Sequence, residues 1–424
     1  MKYLAAASTL AAIASARNCQ QLAVPVHAAA RNAVFDIPVP ANNIETTNFI
    51  LNLSQQGANY TESVLQGYQT VSGDYEIAAQ YCEPDSGPSD TLQILTHGIG
   101  FDRTYWDSPF NNYNYSYVDE AVDEYGYSTF AWDRLGIGMS TPPNPDPLNE
   151  IQALLEVDAL RALTEALRGG EVDGISSSFD KVVHIGHSFG SQHTYALTAM
   201  YPDISDGITL TGFSQNGSFA AFFLLGGNFV EANGNAAFSD LPDGYFAAGN
   251  PSGVQTNFFA PQDFDPAILT YAYNNGQPVT VGELLTFGGE TGSPNPFAGP
   301  VHIVTGERDI PYCGGNCLAA PTGYDSVPAT SQQFFENTDI DVTIIPGAGH
   351  GLNLQYTHPQ TYSSILNWFA DNGLAADGSS SGGSSSGGNN GKDGKGKGKG
   401  YKGKGKGKGR GQHGGWGKHH GPPA

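Results

Sequence analysis

Basic residues are scarce through most of this chain. Ten of its 19 Lys and Arg follow Gly391, where Asp393 is the one acidic residue, so the rest holds nine basic against 40 acidic residues. A body this acidic disfavours DNA, RNA and anionic membranes as ligands. Beyond the N-terminal segment no apolar run of about 18 residues appears, so no spanning helix is expected. Cysteines number four, and no companion ligands cluster near them, which argues against a metal site. Cys313 and Cys317 enclose Gly-Gly-Asn, a loop flexible enough to close locally, and Cys19 and Cys82 would then pair over a long loop. The other two pairings stay open.

The first sixteen residues, MKYLAAASTLAAIASA, combine a lysine, a short apolar stretch and a small-residue Ala14-Ser15-Ala16 site. That pattern predicts a secretory signal peptide over residues 1–16 and a soluble, secreted, extracellular chain in which disulfides persist. Asn52, Asn59, Asn114 and Asn216 each begin an N-x-S/T triplet and are candidate glycosylation acceptors. From about Ala375 the chain turns Gly/Ser-rich, then alternates Gly and Lys, with nothing to form a core. Residues 375–424 are therefore expected to be disordered. Their positive charge suits anionic polymers, cell-wall material or the acidic body itself; an equally plain reading is a solvated tail.

Between these ends, residues 17–374 read as one domain. Strands are expected at 44–53, 73–82, 91–96, 127–132, 181–185, 207–210, 301–305 and 342–345. Helices are expected at 149–167, 189–200 and 361–370, the first closing on Gly169-Gly170. Strands alternating with helices predict an α/β fold with a mainly parallel, doubly wound sheet. The alternation lapses over about 214–299, a Gly- and Asn-rich stretch holding eleven of the 22 phenylalanines. This insertion is expected to form a lid or cap over the carboxyl ends of the strands, where such sheets bind ligands. The alternative is a small satellite core.

The chemistry gathers at Gly186-His187-Ser188-Phe189-Gly190, a G-x-S-x-G pentapeptide between a β-branched run and a helical one. A serine at a tight strand-to-helix turn adopts a strained backbone, and flanking glycines let the neighbouring chain pass. Ser188 is thus the candidate nucleophile. A serine hydroxyl needs a base, and the base an acidic partner, in the chain order Ser, acid, His for this architecture. His350 lies in the glycine-rich turn Gly347–Gly351 just past a strand and is the candidate base; His358 is the reserve, and His302 falls inside a strand. Asp309 stands just past the preceding strand and is the candidate acid, whereas Glu307 is expected to face away and Asp325 and Asp339 lack strand-end placement. Backbone N–H groups of Phe189 and of Ile99, in His97-Gly98-Ile99-Gly100, are candidate oxyanion donors. His97 and His187 are expected to be structural.

The set H-G-I-G, D-R-L-G-I-G, G-H-S-F-G, G-E-R-D and G-A-G-H-G, in this order, resembles the α/β-hydrolase superfamily over about residues 44–372. It looks most like secreted fungal members with a serine nucleophile. The resemblance implies the same roles for Ser188, Asp309, His350, Ile99 and Phe189, and it disfavours aspartate-nucleophile relatives. The Gly-Lys tail and the long insertion depart from the family's shorter pattern, which leaves substrate choice open. The resulting expectation is an ester hydrolase working through an acyl-enzyme on an apolar or aromatic, small-molecule or lipid-like substrate, with no metal or organic cofactor. A peptidase, lactonase or thioesterase with the same three residues is the related alternative. An accessory enzyme of secreted-metabolite processing and a non-catalytic binding protein are the others.

Overall fold

Residues 17–376 are described by the computed structural model; the expected signal peptide and nearly all of the basic tail lie outside them. In chain order the strands are β1 (Arg17–Phe35), β2 (Leu65–Pro84), β3 (Thr91–Thr96), β4 (Ser128–Trp132), β5 (Lys181–His187), β6 (Gly207–Thr211), β7 (Phe229–Glu231), β8 (Tyr245–Ala248), β9 (Val279–Thr280), β10 (Val301–Gly306) and β11 (Ile340–Ile345). Eight of them form one sheet in the order β1-β2-β4-β3-β5-β6-β10-β11. From β4 to β11 all neighbours are parallel; β1, β2 and β4 pair antiparallel. The central sheet is mainly parallel, as the alternating elements predict, and the whole is the α/β-hydrolase fold that the motif resemblance implies.

Strands β3, β4, β6 and β10 are buried at every position, which requires cover on both faces. Successive side chains supply it alternately. Ile94 and Phe130 join Leu155, Leu160 and Leu163 of the helix Ala153–Gly169 on one face. Their neighbours Leu95 and Ala131 join Ile365, Leu366 and Phe369 of the helix His358–Asp371 on the other. The 153–169 helix ends as its sequence predicts, with Gly170 in the left-handed region at φ 65°.

Two expectations are corrected. Residues expected as a strand over 44–53 form the helix Asn43–Leu53. Its β-branched residues mimic a strand pattern, but the Asn42 side chain caps the N–H groups of Ile44 and Glu45 at 3.1 Å. Thr47 is accommodated in the helix with its hydroxyl donating to the Asn43 carbonyl at 2.7 Å. The second correction is the missing hairpin. β1 was not expected at all, and β2 starts at Leu65 rather than 73. The Ala-, Gln- and Asn-rich β1 has low strand propensity and contains Pro25, tolerated because it runs along an edge.

That edge is partly occupied by side chains. Ala29 N–H donates to Asp158, Ala33 N–H to Gln152 Oε1, and Gln152 Nε2 returns a bond to the Ala33 carbonyl. Cys19 faces Cys82 across the hairpin and is joined to it; Cys313 and Cys317 form the second disulfide.

The stretch between β6 and β10 carries the antiparallel sheet β7-β8-β9 and helices Ala220–Gly226, Pro251–Phe258, Pro266–Asn274 and Val281–Thr286. Its Phe223, Phe246, Phe258 and Phe259 share one apolar cluster with Trp106, Val183 and Ile345 of the main body. A separate satellite core is therefore not how most of these rings are buried. Among the described residues no helix is long and apolar enough to cross a membrane.

Candidate active site

Ser188 stands between β5 and the helix Phe189–Met200, which it caps, with φ 56° and ψ −116°. Such a backbone is sparsely populated for a non-glycine residue and persists only where the surroundings impose it. Here they do so by close packing. A side chain at Gly190 would collide with the carbonyls of Thr96 and His97 at the end of β3, so only glycine lets the elbow and that turn meet.

His350 follows β11 in its loop, and its Nε2 lies 2.9 Å from Ser188 Oγ. Its Nδ1 lies 2.7 Å from Asp309 Oδ2. A carboxylate only accepts, so Nδ1 carries the proton and Nε2 is left to accept from the serine. Asp309, just past β10, also accepts from the Thr305 hydroxyl and the Tyr312 N–H, each at 2.9 Å. All three side chains are buried: Ser188 is 5% exposed, His350 1% and Asp309 0%. Gly212, at φ +54° after β6, makes room for this, since a Cβ there would stand 2.9 Å from the His350 ring and 3.0 Å from that of His187. The residues singled out for nucleophile, base and acid thus lie within one hydrogen-bonded chain. His302 is instead held in its strand against Thr343, and His358 starts the last helix against Tyr115.

The turn after β3 abuts the elbow, as a Cβ on Gly98 would lie 2.9 Å from the Cβ of Ser188. This places the Ile99 segment beside the nucleophile. Phe189 opens the elbow helix, where the first N–H groups have no acceptor within the helix. His97 fixes the turn: its Nδ1 meets the Gly98 carbonyl and its Nε2 accepts the Arg134 N–H, both at 2.9 Å. Burial and the Arg134 charge hold His97 well below the usual histidine range, hence neutral, as this bonding requires. The H-G-I-G and D-R-L-G-I-G segments are therefore tied together behind the site. Arg134, itself fully buried, pairs with Glu156 and Glu283 and lies 4.8 Å from the Phe189 ring centre. Glu283 belongs to the insertion, so one ionic cluster joins insertion, helix Ala153–Gly169 and elbow.

A small cavity of about 40 Å³ lies beside Ile99 and Phe101 and is walled by Phe223, Phe229, Val254 and Phe258 of the insertion. Neither Ser188 nor His350 lines it. Phe258 is the shared wall: its ring stacks 5.7 Å from that of His350, and its carbonyl accepts the Gly351 N–H of the histidine loop at 2.8 Å. Thr305, Tyr312 and Gln192 belong to no motif; their signal was closeness in sequence to Asp309 or Ser188.

Of the possible glycan acceptors, Asn52, Asn59 and Asn114 are exposed and Asn216 is half-buried. One group of potential metal ligands, Cys19, Cys82 and Asp107, occurs among the described residues, and its two sulfurs are joined to each other.

A model of the alpha/beta hydrolase family matches residues 93–364. No curated protein matches the sequence. Among solved structures, an esterase from Thermogutta terrifontis is similar at 15% identity and a TM-score of 0.46, covering 70% of this chain and 94% of that one. An enol-lactonase from Burkholderia xenovorans gives 13% identity, 0.46, and 70% and 97% coverage. A monoacylglycerol lipase from Paleococcus ferrophilus gives 13%, 0.43, and 67% and 96%.

Proposed function

This chain belongs to the alpha/beta hydrolase family, and from that premise we propose that it is a secreted serine hydrolase cleaving carboxylic esters through an acyl-enzyme. The observation that carries the reading is the continuous hydrogen-bonded chain from Ser188 Oγ through His350 to Asp309 at 2.9 and 2.7 Å. Ser188 attacks the ester carbonyl as His350 Nε2 takes its proton, then returns it to the leaving alcohol. Asp309 holds the imidazole in the tautomer that leaves Nε2 free. The N–H groups of Ile99 and Phe189 receive the charge that develops on the carbonyl oxygen. Water, deprotonated by His350, then releases the acid.

The phenylalanine side chains that the insertion brings beside Ile99 support an apolar or aromatic acyl or alcohol group, admitted when 214–299 moves as a lid. Two disulfides and three exposed N-x-S/T asparagines fit an oxidising, glycosylating export route for the mature chain. The test is hydrolysis of p-nitrophenyl esters from two to sixteen carbons by wild type and Ser188→Ala. Turnover that disappears in the variant, with an optimum above acetate, is expected. Equal turnover in both proteins would remove Ser188 from the nucleophile's role, and a preference for acetate alone would remove the apolar substrate class.

A further inference from the structure

Gln355 follows His350 in the same loop, belongs to no motif and is fully buried. Its side-chain Oε1 accepts two N–H groups at once, that of Gly349 at 2.7 Å and that of Ala260, in the insertion, at 3.1 Å. Two donors on one oxygen fix the orientation of the amide, so Nε2 faces the Phe258 carbonyl at 3.5 Å. That carbonyl takes its shorter bond from the Gly351 N–H, at 2.8 Å. The residues on either side of His350 are therefore both tied to residues 258–260, one directly and the other through the Gln355 oxygen. The two backbones run so close that a Cβ on Gly349 would stand 2.6 Å from the Ala260 nitrogen. Further along the insertion, the Asp263 carbonyl accepts the Tyr356 N–H at 2.8 Å and its carboxylate accepts the Thr357 hydroxyl at 2.6 Å. Asp309 orients the imidazole, but the backbone of this loop decides how far Nε2 reaches.

We propose that Gln355 is a positioning residue for the base: by holding Gly349 against the insertion, it sets the place from which His350 Nε2 serves both Ser188 and the leaving group. The proposal rests on the serine-hydrolase reading. In acylation the Ser188 hydroxyl proton passes to Nε2 as Oγ bonds to the acyl carbon. The imidazolium then gives that proton to the leaving oxygen as the carbon–oxygen bond breaks with its electron pair on that oxygen. The first transfer runs along the 2.9 Å contact already formed. The second must reach an oxygen of the substrate, so a ring carried off its place fails there first. An alkoxide needs this proton to depart, whereas p-nitrophenolate leaves without it. Displacement of the base therefore costs alkyl esters more than nitrophenyl esters. General loosening of the fold, which only lowers the amount of working enzyme, costs both alike. Residues 258–263 are then the part of the insertion that stays on the body while the rest moves.

The test compares kcat/KM for the ethyl and p-nitrophenyl esters of one acid, using the full chain. Gln355→Met keeps the size and removes the acceptor, which leaves the Gly349 and Ala260 N–H groups without a partner. The ethyl ester is expected to lose on the order of 100-fold, as for about a 1 Å misplacement, and the nitrophenyl ester much less. Gln355→Glu puts a carboxyl oxygen where the amide oxygen stood, so both rates are expected to stay near wild type. Equal losses on the two esters, no loss in Gln355→Met, or the same selective loss in Gln355→Glu overturns the proposal. Should Gln355→Met not fold, Gln355→Asn withdraws the amide by one methylene; the selective loss is expected again, and a uniform loss or none overturns the idea. If Ser188→Ala turns over both esters as fast as wild type, the serine reading falls and this proposal with it.

Discussion

Three donors converge on the two oxygens of Asp309, from Thr305, Tyr312 and His350. A carboxylate so held cannot rotate, and the histidine ring inherits its orientation. Asp309→Asn keeps the shape but places an amide where only an acceptor fits, inverting the imidazole tautomer. Turnover is expected to fall about 10,000-fold, the loss known for the same change in serine proteases, with an unchanged melting temperature. Ester kinetics and a thermal melt on one preparation check both halves. Ser188, Asp309 and His350 were legible because each stands at a strand's carboxyl end in a fixed chain order. Gln192 was not, because a buried amide announces itself only through the partners it meets across the fold, and Thr305 had no signal beyond its closeness in sequence to Asp309.

Among the elements, the short helix Val281–Thr286 ties the insertion to the body through charge as well as packing. Its Thr280–Glu283 capping box orders the first turn, and Glu283 then reaches Arg134 beside Glu156. Removing Glu283 leaves Arg134 paired with Glu156, but it strands the buried Thr280 N–H and one side of the guanidinium without an acceptor. Glu283→Ala is therefore expected to cost about 1–3 kcal/mol, read from the denaturant midpoint. The insertion's aromatic content was visible in sequence; its anchoring was not, since Arg134, Glu156 and Glu283 lie in three separate segments. Elements with strong periodicity, such as the helix Ala153–Gly169 and the buried parallel strands, were read within a few residues of their bounds. The failures came where pattern is ambiguous: β-branched residues in the capped helix Asn43–Leu53, and an alanine-rich strand whose partner supplies most of its stability.

The molecule as a whole titrates unusually. Burial raises Glu156 and Glu283 to about 7 and Glu290 to about 8. At these carboxyls the native state holds more protons than the unfolded chain from the ordinary carboxyl range up to about pH 8, so their contribution to stability falls as pH rises through that window. His97, His184, His187, His193, His302 and His358 are pulled the other way, below 6.5, chiefly by desolvation. Below pH 6.5 the unfolded chain gains protons that these native histidines refuse, so acidification there destabilises. From about pH 7 the unfolded histidines are mostly neutral and the carboxyls dominate. The melting temperature is expected to decline from about pH 7 to 8, and a scanning calorimetry series across that range checks it; a rise would show that these carboxyls titrate normally.

The outer strand of a sheet is ordinarily a template on which another chain can zip. On β1, a carboxylate and a carboxamide from the helix Ala153–Gly169 and its cap already occupy part of that template, and Pro25 interrupts it further. Molecules crowded together at high concentration therefore meet a selvedge rather than a raw hem, and strand-by-strand growth into fibrils has little to start from at this border.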